Sequence, residues 1–542
     1  MTVVLDRLSE LRWNDPAARW RRVGLALLAG AGAALVHPPF GIVPGLLGYP
    51  LLMLLSDRSS SLKGAFWMGW LAGLAYFLIS CWWVAEAFLV NPAQAWMAPF
   101  AVGFLAGGIG LFWGAATLLY RRIAPEGVGR VLVFAGVFCL LEWLRGHILT
   151  GFPWNPAGAG WAAGSAASQF ASVAGVYGLS LVTVAGFAAL GPLFAPGPRK
   201  PRIGAALAGM GVISAVIVGG TVRLSQAKLT FTDTVVRIVQ ADVDQESKWT
   251  PEAYRGIVER YVNLTGRLGG VVPNVILWPE GALPNTADRI FAPGAPEGMA
   301  IAQALQPGQV LMAGLARGEL DLKAEGGARY YNSLFVLQDQ GSEGLRIIDI
   351  YDKHRLVPFG EYLPLGALMS GLGVRSLVHV GADFSAGPRP APVPVPGAPD
   401  AQPLICYESL YPGFTPGARG RPQWIANVSN DAWFGRTWGP IQHLNLASYR
   451  AIETGLPLAR ATPTGVSAMI DPWGRVIGDQ RLDAGESGVI DARLPRPTDV
   501  TPYGRFGDLL FWLGFLFCLG PAAIVWLRKN DRRSASRQDH AS

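Results

Sequence analysis

The chain has 542 residues, of which 51% are hydrophobic and only 15% charged, and its formal net charge is +7. With a mean hydropathy of +0.29, this composition excludes an ordinary soluble protein and indicates a membrane protein. The positive charge lies in short clusters beside apolar segments, which is typical of membrane topology signals, so we expect no nucleic-acid partner. Four scattered cysteines exclude a disulfide-rich scaffold. Neither they nor the six histidines show metal-ligand spacing, so we expect no metal site.

Eight apolar runs predict transmembrane helices, because most of them reach the roughly 20 residues needed to cross a bilayer. They cover residues 23–36, 42–56, 62–84, 97–120, 130–149, 166–194, 203–222 and 508–527. The first run is short and follows several arginines, so a cleaved signal peptide is an alternative to a retained helix. The many spans that follow favour the retained helix.

Loop charge predicts the orientation of these spans. Lys and Arg occur before the first span, in alternate loops and after the last span. Almost none occur in the loops at 37–41, 85–96 and 150–165. The positive-inside tendency therefore places both termini in the cytoplasm and the large polar segment outside it. The same reasoning predicts a multi-pass protein of the cytoplasmic membrane.

Hydrophobicity divides the chain into three predicted regions: a transmembrane region of about seven spans (1–228), an extracytoplasmic domain (229–495), and a last span with a basic cytoplasmic tail (496–542). In the middle region, nine short β-type runs alternate with helical patterns, which predicts an α/β layered domain. A helix is predicted at 251–268, with Thr250 as its N-cap and Pro251 at its first position. A second helix is predicted at about 440–454, closed by Gly455.

The uncharged loop at 150–165, TGFPWNPAGAGWAAGS, is rich in aromatic residues and glycine. Trp154 and Trp161 can be interfacial anchors of the aromatic belt, or they can line a route from the bilayer to the outer domain. Composition alone favours the anchors.

Three residues at the ends of β-type runs have side chains suited to acyl transfer. Glu280 follows VILWP, Lys353 follows IIDIYD, and Cys406, the one cysteine outside the strongly hydrophobic segments, follows PLI. A glutamate can take a thiol proton, a cysteine can attack a carbonyl, and an ammonium can stabilise the oxyanion while favouring the thiolate. Taken singly, each has a plainer interpretation: a buried core thiol, a solvated strand end, or a surface ion pair with Asp349 or Asp352.

The sequence around these three residues resembles a known superfamily. ILWPEGALP, YDKHRLVPFGEYLP and LICYES, in that order, resemble the three motif regions of the nitrilase superfamily, whose members use a Glu-Lys-Cys triad. With NVSNDAWFG at 427–435 and spans on both sides, the whole chain resembles the membrane-embedded branch, the bacterial apolipoprotein N-acyltransferases. The resemblance implies an α-β-β-α sandwich for the middle region. It assigns Glu280 as general base, Lys353 as the oxyanion-stabilising cation and Cys406 as the acylated nucleophile.

The resemblance also implies supporting or substrate-binding residues. These are Glu361, Tyr407, Glu408, Trp249, Asn332, Gly151 and Trp154. One local departure from the family pattern is Gly281, where members often carry serine or another small residue.

The activity implied by the resemblance is a ping-pong acyl transfer at the bacterial inner membrane. Cys406 takes a fatty acyl chain from a phospholipid, and the α-amino group of a diacylglyceryl-modified cysteine at an apolipoprotein N-terminus then attacks the thioester. No cofactor is required. The apolar stretch 362–369 is interpreted either as a segment that dips into the interface and guides acyl chains, or as a helix packed on the core.

Two other functions share some of these features. A membrane-tethered nitrilase-like amidase would use the same triad, although eight spans exceed what an anchor needs. A transporter or receptor would place charged residues within its spans. Glu86 and Glu142 are the main candidates for such residues, and both fall near predicted span ends.

Overall fold

The computed structural model describes residues 16–322, 327–362, 383–415 and 420–539. Of the apolar stretch 362–369, all but its first residue lies outside the described residues. The chain divides into two compact units. A helical unit comprises Met1–Trp82, Pro99–Ser225 and Phe506–Ser542, and a sandwich unit comprises Trp83–Ala98 and Gln226–Arg505.

The helical unit consists of α-helices joined by turns and loops. Its helices are Pro16–Ala34, Gly48–Asp57, Leu62–Cys81, Ala98–Ile123, Arg130–His147, Ala171–Ala188, Arg199–Ser225 and Leu509–Asp539. Within the described residues, five stretches are long and apolar enough to cross a membrane: Leu62–Leu89, Pro92–Ile123, Ala167–Phe194, Arg199–Ser225 and Leu509–Arg528. The count of eight spans stays a prediction.

Small residues let the first helices of this unit approach closely. A Cβ added at Gly30 would lie 1.8 Å from the carbonyl oxygen of Ala72, which is a distance no side chain tolerates. Helices in a bilayer gain little from hydrophobic burial and pack through such close backbone contacts. The glycine content of the apolar runs therefore has a packing reason.

A buried ion pair organises the loop that follows the helix Arg130–His147. The guanidinium of Arg145 donates to the carbonyl oxygens of Phe152 at 2.6 Å and Trp154 at 2.8 Å. Its partner Glu142 accepts the backbone N–H of Ala157 at 2.9 Å. Trp154 is only 1% exposed. An interfacial anchor must reach the headgroup region, so the buried position of this ring does not fit the anchor interpretation.

The sandwich unit contains two mixed sheets. Its strands are β1 (Phe231–Gln240), β2 (Val275–Trp278), β3 (Val310–Leu320), β4 (Ala328–Asp339), β5 (Leu345–Asp352), β6 (Ala401–Ile405), β7 (Trp424–Val428), β8 (Leu458–Ala461), β9 (Ser467–Ile470), β10 (Val476–Leu482) and β11 (Gly488–Pro495). One sheet has the order β11-β1-β2-β3-β4-β5 and the other β10-β9-β8-β7-β6. β1, β2 and β3 are mutually parallel, as are β6, β7 and β8.

The two sheets pack face to face because their strands alternate in the side chains they present. Val236 and Ile238 of β1 share a buried cluster with Ile405 of β6 and Trp424 of β7. The opposite face of the first sheet packs on helices, with Val239 of β1 joining a second cluster. The domain interior is therefore built from the inner faces of both sheets.

Helices cover the outer faces. Pro251–Thr265 and Pro296–Ala304 pack on the first sheet, while Gly439–Thr454 lies against the turns after β6 and β7. The helix predicted at 440–454 is confirmed, and Gly455 closes it in the left-handed region at φ 70°. This layering agrees with the α-β-β-α sandwich that the resemblance implies.

The sandwich unit also includes the segment Trp83–Ala98, most of which the sequence places between two predicted spans. In Trp83–Ala98, the ring of Trp83 lies 4.4 Å from that of Phe434. A Cβ at Gly435 would lie 2.5 Å from Glu86 Oε2. The segment NVSNDAWFG thus ends against this inserted stretch.

Candidate active site

The three residues singled out at strand ends occupy turns of the sandwich unit. Glu280 follows β2, Lys353 follows β5, and Cys406 follows β6. The turn after Glu280 is tightly held. Gly281 has φ 57°, and a Cβ at Gly314 of β3 would lie 2.6 Å from Glu280 Cα. The backbone next to the glutamate therefore has little freedom to move.

Glu280, Lys353, Glu361 and Asn332 form one buried hydrogen-bonded cluster. The ammonium of Lys353 donates to Oε1 of Glu280 and to Oε1 of Glu361, each at 2.9 Å. The amide of Asn332 donates to the same two oxygens at 2.6 and 2.8 Å. The second oxygen of Glu361 accepts the backbone N–H of Val357 at 2.8 Å. Two donors and two carboxylates thus form a closed square.

Only one oxygen of this square remains for a reacting group. Oε2 of Glu280 is buried and accepts no hydrogen bond from the described residues. Burial alone would raise the pKa of Glu280, but the charge of Lys353, with hydrogen bonds from Lys353 and Asn332, holds that pKa below its ordinary value. Burial opposes the charge on Lys353, yet the carboxylates of Glu280 and Glu361 raise its pKa well above the ordinary value. The resting pair is therefore a carboxylate and an ammonium.

Cys406 occupies a strained turn. Its φ is 49°, a left-handed conformation that side chains other than those of Gly, Asn and Asp rarely adopt, and only 8% of the residue is exposed. Burial raises the pKa of its thiol well above the ordinary value, and the charge of Glu280 raises it further. Lys353 and the backbone N–H of Asn430 act in the opposite direction. Lys353 thus favours the thiolate, as the sequence predicts, but burial and the charge of Glu280 outweigh its contribution.

Glu408 ties the nucleophile turn to the residues after Lys353. Its Oε2 accepts the backbone N–H of Ile405 at 2.8 Å. Its Oε1 accepts from the Tyr351 hydroxyl at 2.7 Å and from the backbone N–H groups of His354 at 2.8 Å and Arg355 at 3.1 Å. Burial raises the pKa of Glu408 to about 7. The side chain therefore couples the positions of the two strand ends.

A second buried charge network lies beside Cys406. Arg460 Nη2 donates to both oxygens of Asp431, at 2.9 and 2.7 Å. His443 Nδ1 lies 2.9 Å from Asp431 Oδ1, and its Nε2 lies 3.2 Å from the carbonyl oxygen of Cys406. Burial and the charge of Arg460 lower the pKa of His443. Sequence reasoning missed this network, although NVSNDAWFG contains Asp431.

The other predicted residues lie in different surroundings. Tyr407 is buried, with its ring 5.3 Å from that of Tyr411. Trp249 is 66% exposed. Gly151 and Trp154 belong to the helical unit. Beside Trp249, sequence reasoning missed Lys248, which is buried and donates to the carbonyl oxygen of Gly281.

The chain resembles known proteins along nearly its full length. Residues 29–190 match the family described as "Apolipoprotein N-acyltransferase N-terminal domain", and residues 235–499 match the family described as "Carbon-nitrogen hydrolase".

Among curated relatives, a protein of Caulobacter vibrioides is 48% identical over 522 residues, covering 94% of each chain. A relative from Brucella melitensis is 39% identical, covering 89% of this chain and 91% of its own. One from Rhodopseudomonas palustris is 37% identical, covering 93% and 95% respectively. All three are named apolipoprotein N-acyltransferase. The chain belongs to the apolipoprotein N-acyltransferase family of bacterial membrane proteins.

Proposed function

We propose that this protein transfers a fatty acyl chain from a membrane phospholipid to the α-amino group of the N-terminal diacylglyceryl-cysteine of apolipoproteins. The transfer passes through a thioester on Cys406. The observation that carries this proposal is the buried square around Glu280 and Lys353, with one carboxylate oxygen left unbonded and electrostatically coupled to the Cys406 thiol. Family membership supplies the class of substrates.

The first half-reaction starts from a neutral thiol. As Sγ of Cys406 attacks the ester carbonyl carbon, Oε2 of Glu280 takes the thiol proton, and the ammonium of Lys353 stabilises the oxyanion. Collapse of the tetrahedral intermediate breaks the carbon–oxygen bond of the ester. The protonated Glu280 returns its proton to the departing lysophospholipid alkoxide. The raised pKa of the thiol supports proton transfer during the attack, not before it.

The second half-reaction uses the same groups. The acceptor α-amino group, with an ordinary pKa near 8, is partly neutral at physiological pH. It attacks the thioester carbon, Glu280 accepts one amine proton, and Lys353 again stabilises the oxyanion. The carbon–sulfur bond breaks, the proton passes to the Cys406 thiolate, and the amide product leaves. Neither step requires a metal ion, nucleotide or other cofactor.

The other predicted residues take supporting roles in this proposal. Glu361 and Asn332 orient Lys353 and Glu280, and Glu408 fixes the Cys406 turn. Tyr407 packs beside the nucleophile, and the exposed Trp249 ring offers an apolar contact to an entering acyl chain. For Gly151 and Trp154 we propose a role in lipid binding within the membrane region.

The proposal includes a location. We place the protein in the bacterial inner membrane as a multi-pass chain with both termini cytoplasmic, the catalytic domain (229–495) on the outer side, and transmembrane regions at 1–228 and 496–542. Both substrates are then within the leaflet that the domain faces. Reporter fusions after residues 228 and 495 test this orientation, and a cytoplasmic signal from either site contradicts it.

Intact mass spectrometry tests the first half-reaction. Purified wild-type protein and Cys406→Ala are each mixed with phospholipid micelles. We expect a fatty-acyl mass increase in the wild type alone, reversed by hydroxylamine, which cleaves thioesters. Acylation that persists in the alanine variant contradicts the nucleophile assignment. An unmodified wild type that releases ammonia from a soluble amide indicates an amidase instead.

A further inference from the structure

A buried lysine holds the turn beside the proposed base. Lys248 is 3% exposed, and its Nζ donates to the carbonyl oxygen of Gly281, the residue that follows Glu280. Gly281 has φ 57°, and a Cβ there would lie 3.2 Å from this Nζ. The close approach and the positive φ explain why a glycine suits this position.

The loop that carries Lys248 also reaches the nucleophile side of the site. This loop, residues 241–250, joins β1 to the helix Pro251–Thr265. Its buried Gln245 accepts a hydrogen bond from the side chain of Asn430 at 3.2 Å. The backbone N–H of Asn430 in turn lowers the pKa of the Cys406 thiol. One loop thus contacts the neighbours of both the base and the nucleophile.

The base of this loop is itself anchored. Arg260 Nη1 donates to the carbonyl oxygens of Ala241 and Asp242, each at 2.8 Å. The backbone N–H of Val243 bonds the carbonyl oxygen of Pro463 at 3.2 Å. Lys248 therefore extends from a fixed backbone, and its ammonium position is set by structure on both sides.

We infer that Lys248 is a positioning residue for Glu280 in the acyl transfer proposed above, on which this inference rests. It holds the Gly281 carbonyl, so that Oε2 of Glu280 stays aimed at the reacting thiol and amine, and its positive charge moderates the basicity of that carboxylate. Substrate does not need to touch Lys248 for either effect.

The charges around Glu280 give this role a pH dependence. Lys353 and Glu361 face Glu280 from the segment after β5, the Cys406 thiol from the turn after β6, and Lys248 from the loop after β1. Burial lowers the pKa of Lys248 to about 8, although the charge of Glu280 pulls it upward. Below that pH the ammonium lowers the proton affinity of Glu280. Above it the neutral amine lets Glu280 become a stronger base, in the range where the acceptor amine is also neutral.

Single-turnover thioester formation, followed by intact mass from pH 3.5 to 9 in phospholipid micelles, tests the inference. Lys248→Met removes both donor and charge, Lys248→Gln keeps a donor, and Lys248→Arg keeps both. We expect Lys248→Met to slow acylation about tenfold or more. We also expect the acid limb of the pH–rate profile to move to higher pH by about one unit, because the pKa of Glu280 rises when the nearby positive charge is removed. Lys248→Gln should move the acid limb by a similar amount but lose less of the acylation rate. Lys248→Arg should keep the acid limb at the wild-type pH.

Lys228→Met, which changes an exposed lysine, is the matched control and should follow the wild type. An unaltered rate and acid limb in both Lys248→Met and Lys248→Gln overturns the inference. If one of these two variants does not fold, the other still shows whether the acid limb of the pH–rate profile moves. A wild type that forms no thioester contradicts the proposed function instead, so the two failures are distinguishable.

Discussion

Nζ of Lys353 lies 2.9 Å from Oε1 of Glu280, and both side chains are buried. Burying two charges is costly, and the attraction between them offsets that cost only when further hydrogen bonds satisfy both groups. Asn332 and Glu361 provide those bonds. Base and cation therefore form one electrostatic unit, and a change in either alters the protonation of the other.

Replacing the cation tests this coupling directly. Lys353→Met leaves two buried carboxylates, Glu280 and Glu361, without their counter-charge. We expect the free energy of unfolding to fall by about 3–5 kcal/mol and thioester formation to be lost. Adding Glu361→Gln to this variant should recover part of the melting temperature in detergent micelles but no acylation. A Lys353→Met protein that acylates at the wild-type rate contradicts the assigned role.

Replacing the base separates chemistry from stability. Glu280→Gln keeps an oxygen for Lys353 and Asn332 but cannot accept the thiol proton. We expect thioester formation to slow by roughly 10²–10⁴, with a smaller loss of melting temperature than Lys353→Met. Glu259→Gln, on the exposed surface of a helix, is the control and should match the wild type. Equal rates for the two glutamine variants would remove Glu280 from the mechanism.

Some of this site could be predicted from sequence because its signals are local. All nine β-type runs became β1–β9, and the glutamate, lysine and cysteine stood at strand ends in recognisable motifs. β10 and β11 were not predicted, since both carry charged residues along short antiparallel strands. Trp249 was singled out by its motif, yet of the adjacent residues Lys248 and Trp249 the buried one is Lys248.

Partnerships between distant residues could not be predicted. Asn332 and Glu280 are 52 positions apart, and Glu408 and Tyr351 are 57 apart. A single sequence reports periodicity over neighbouring residues, but it carries no record of which polar groups meet once two sheets pack together. The Arg460–Asp431–His443 network is of the same kind.

The backbone of Cys406 leads to a stability prediction. At φ 49° a side chain strains the turn, whereas glycine adopts this conformation freely. We expect Cys406→Gly to be at least as stable as Cys406→Ala, with a difference of up to about 1 kcal/mol. Both variants should form no thioester. Ala426→Gly in β7 is the comparison, because there glycine should lower the melting temperature relative to alanine. The same loss at both positions would contradict a strained nucleophile turn.

The raised pKa of Glu408 makes the stability of the folded protein depend on pH. Burial raises its pKa from an ordinary 4.5 to about 7 in the folded protein. Between these values the folded state binds more protons than the unfolded state, so the contribution of Glu408 to stability is fully present below about pH 4.5 and lost as pH rises through 7. The loss across that window is at most about 3 kcal/mol.

Glu408→Gln removes this titration and also disturbs the four hydrogen bonds that the carboxyl group accepts. The variant should therefore be less stable than the wild type at every pH, but the gap in melting temperature should narrow from pH 5 to 7 and stay constant above 8. Exposed Glu259→Gln serves as the control and should show no such trend. A gap that stays constant from pH 5 to 7 and narrows only as pH falls below about 4.5 would mean that the four donors outweigh burial and hold the pKa of Glu408 below its ordinary value. Glu408 would then be an anion throughout this pH range, and its link between Ile405 and His354 would not change with pH.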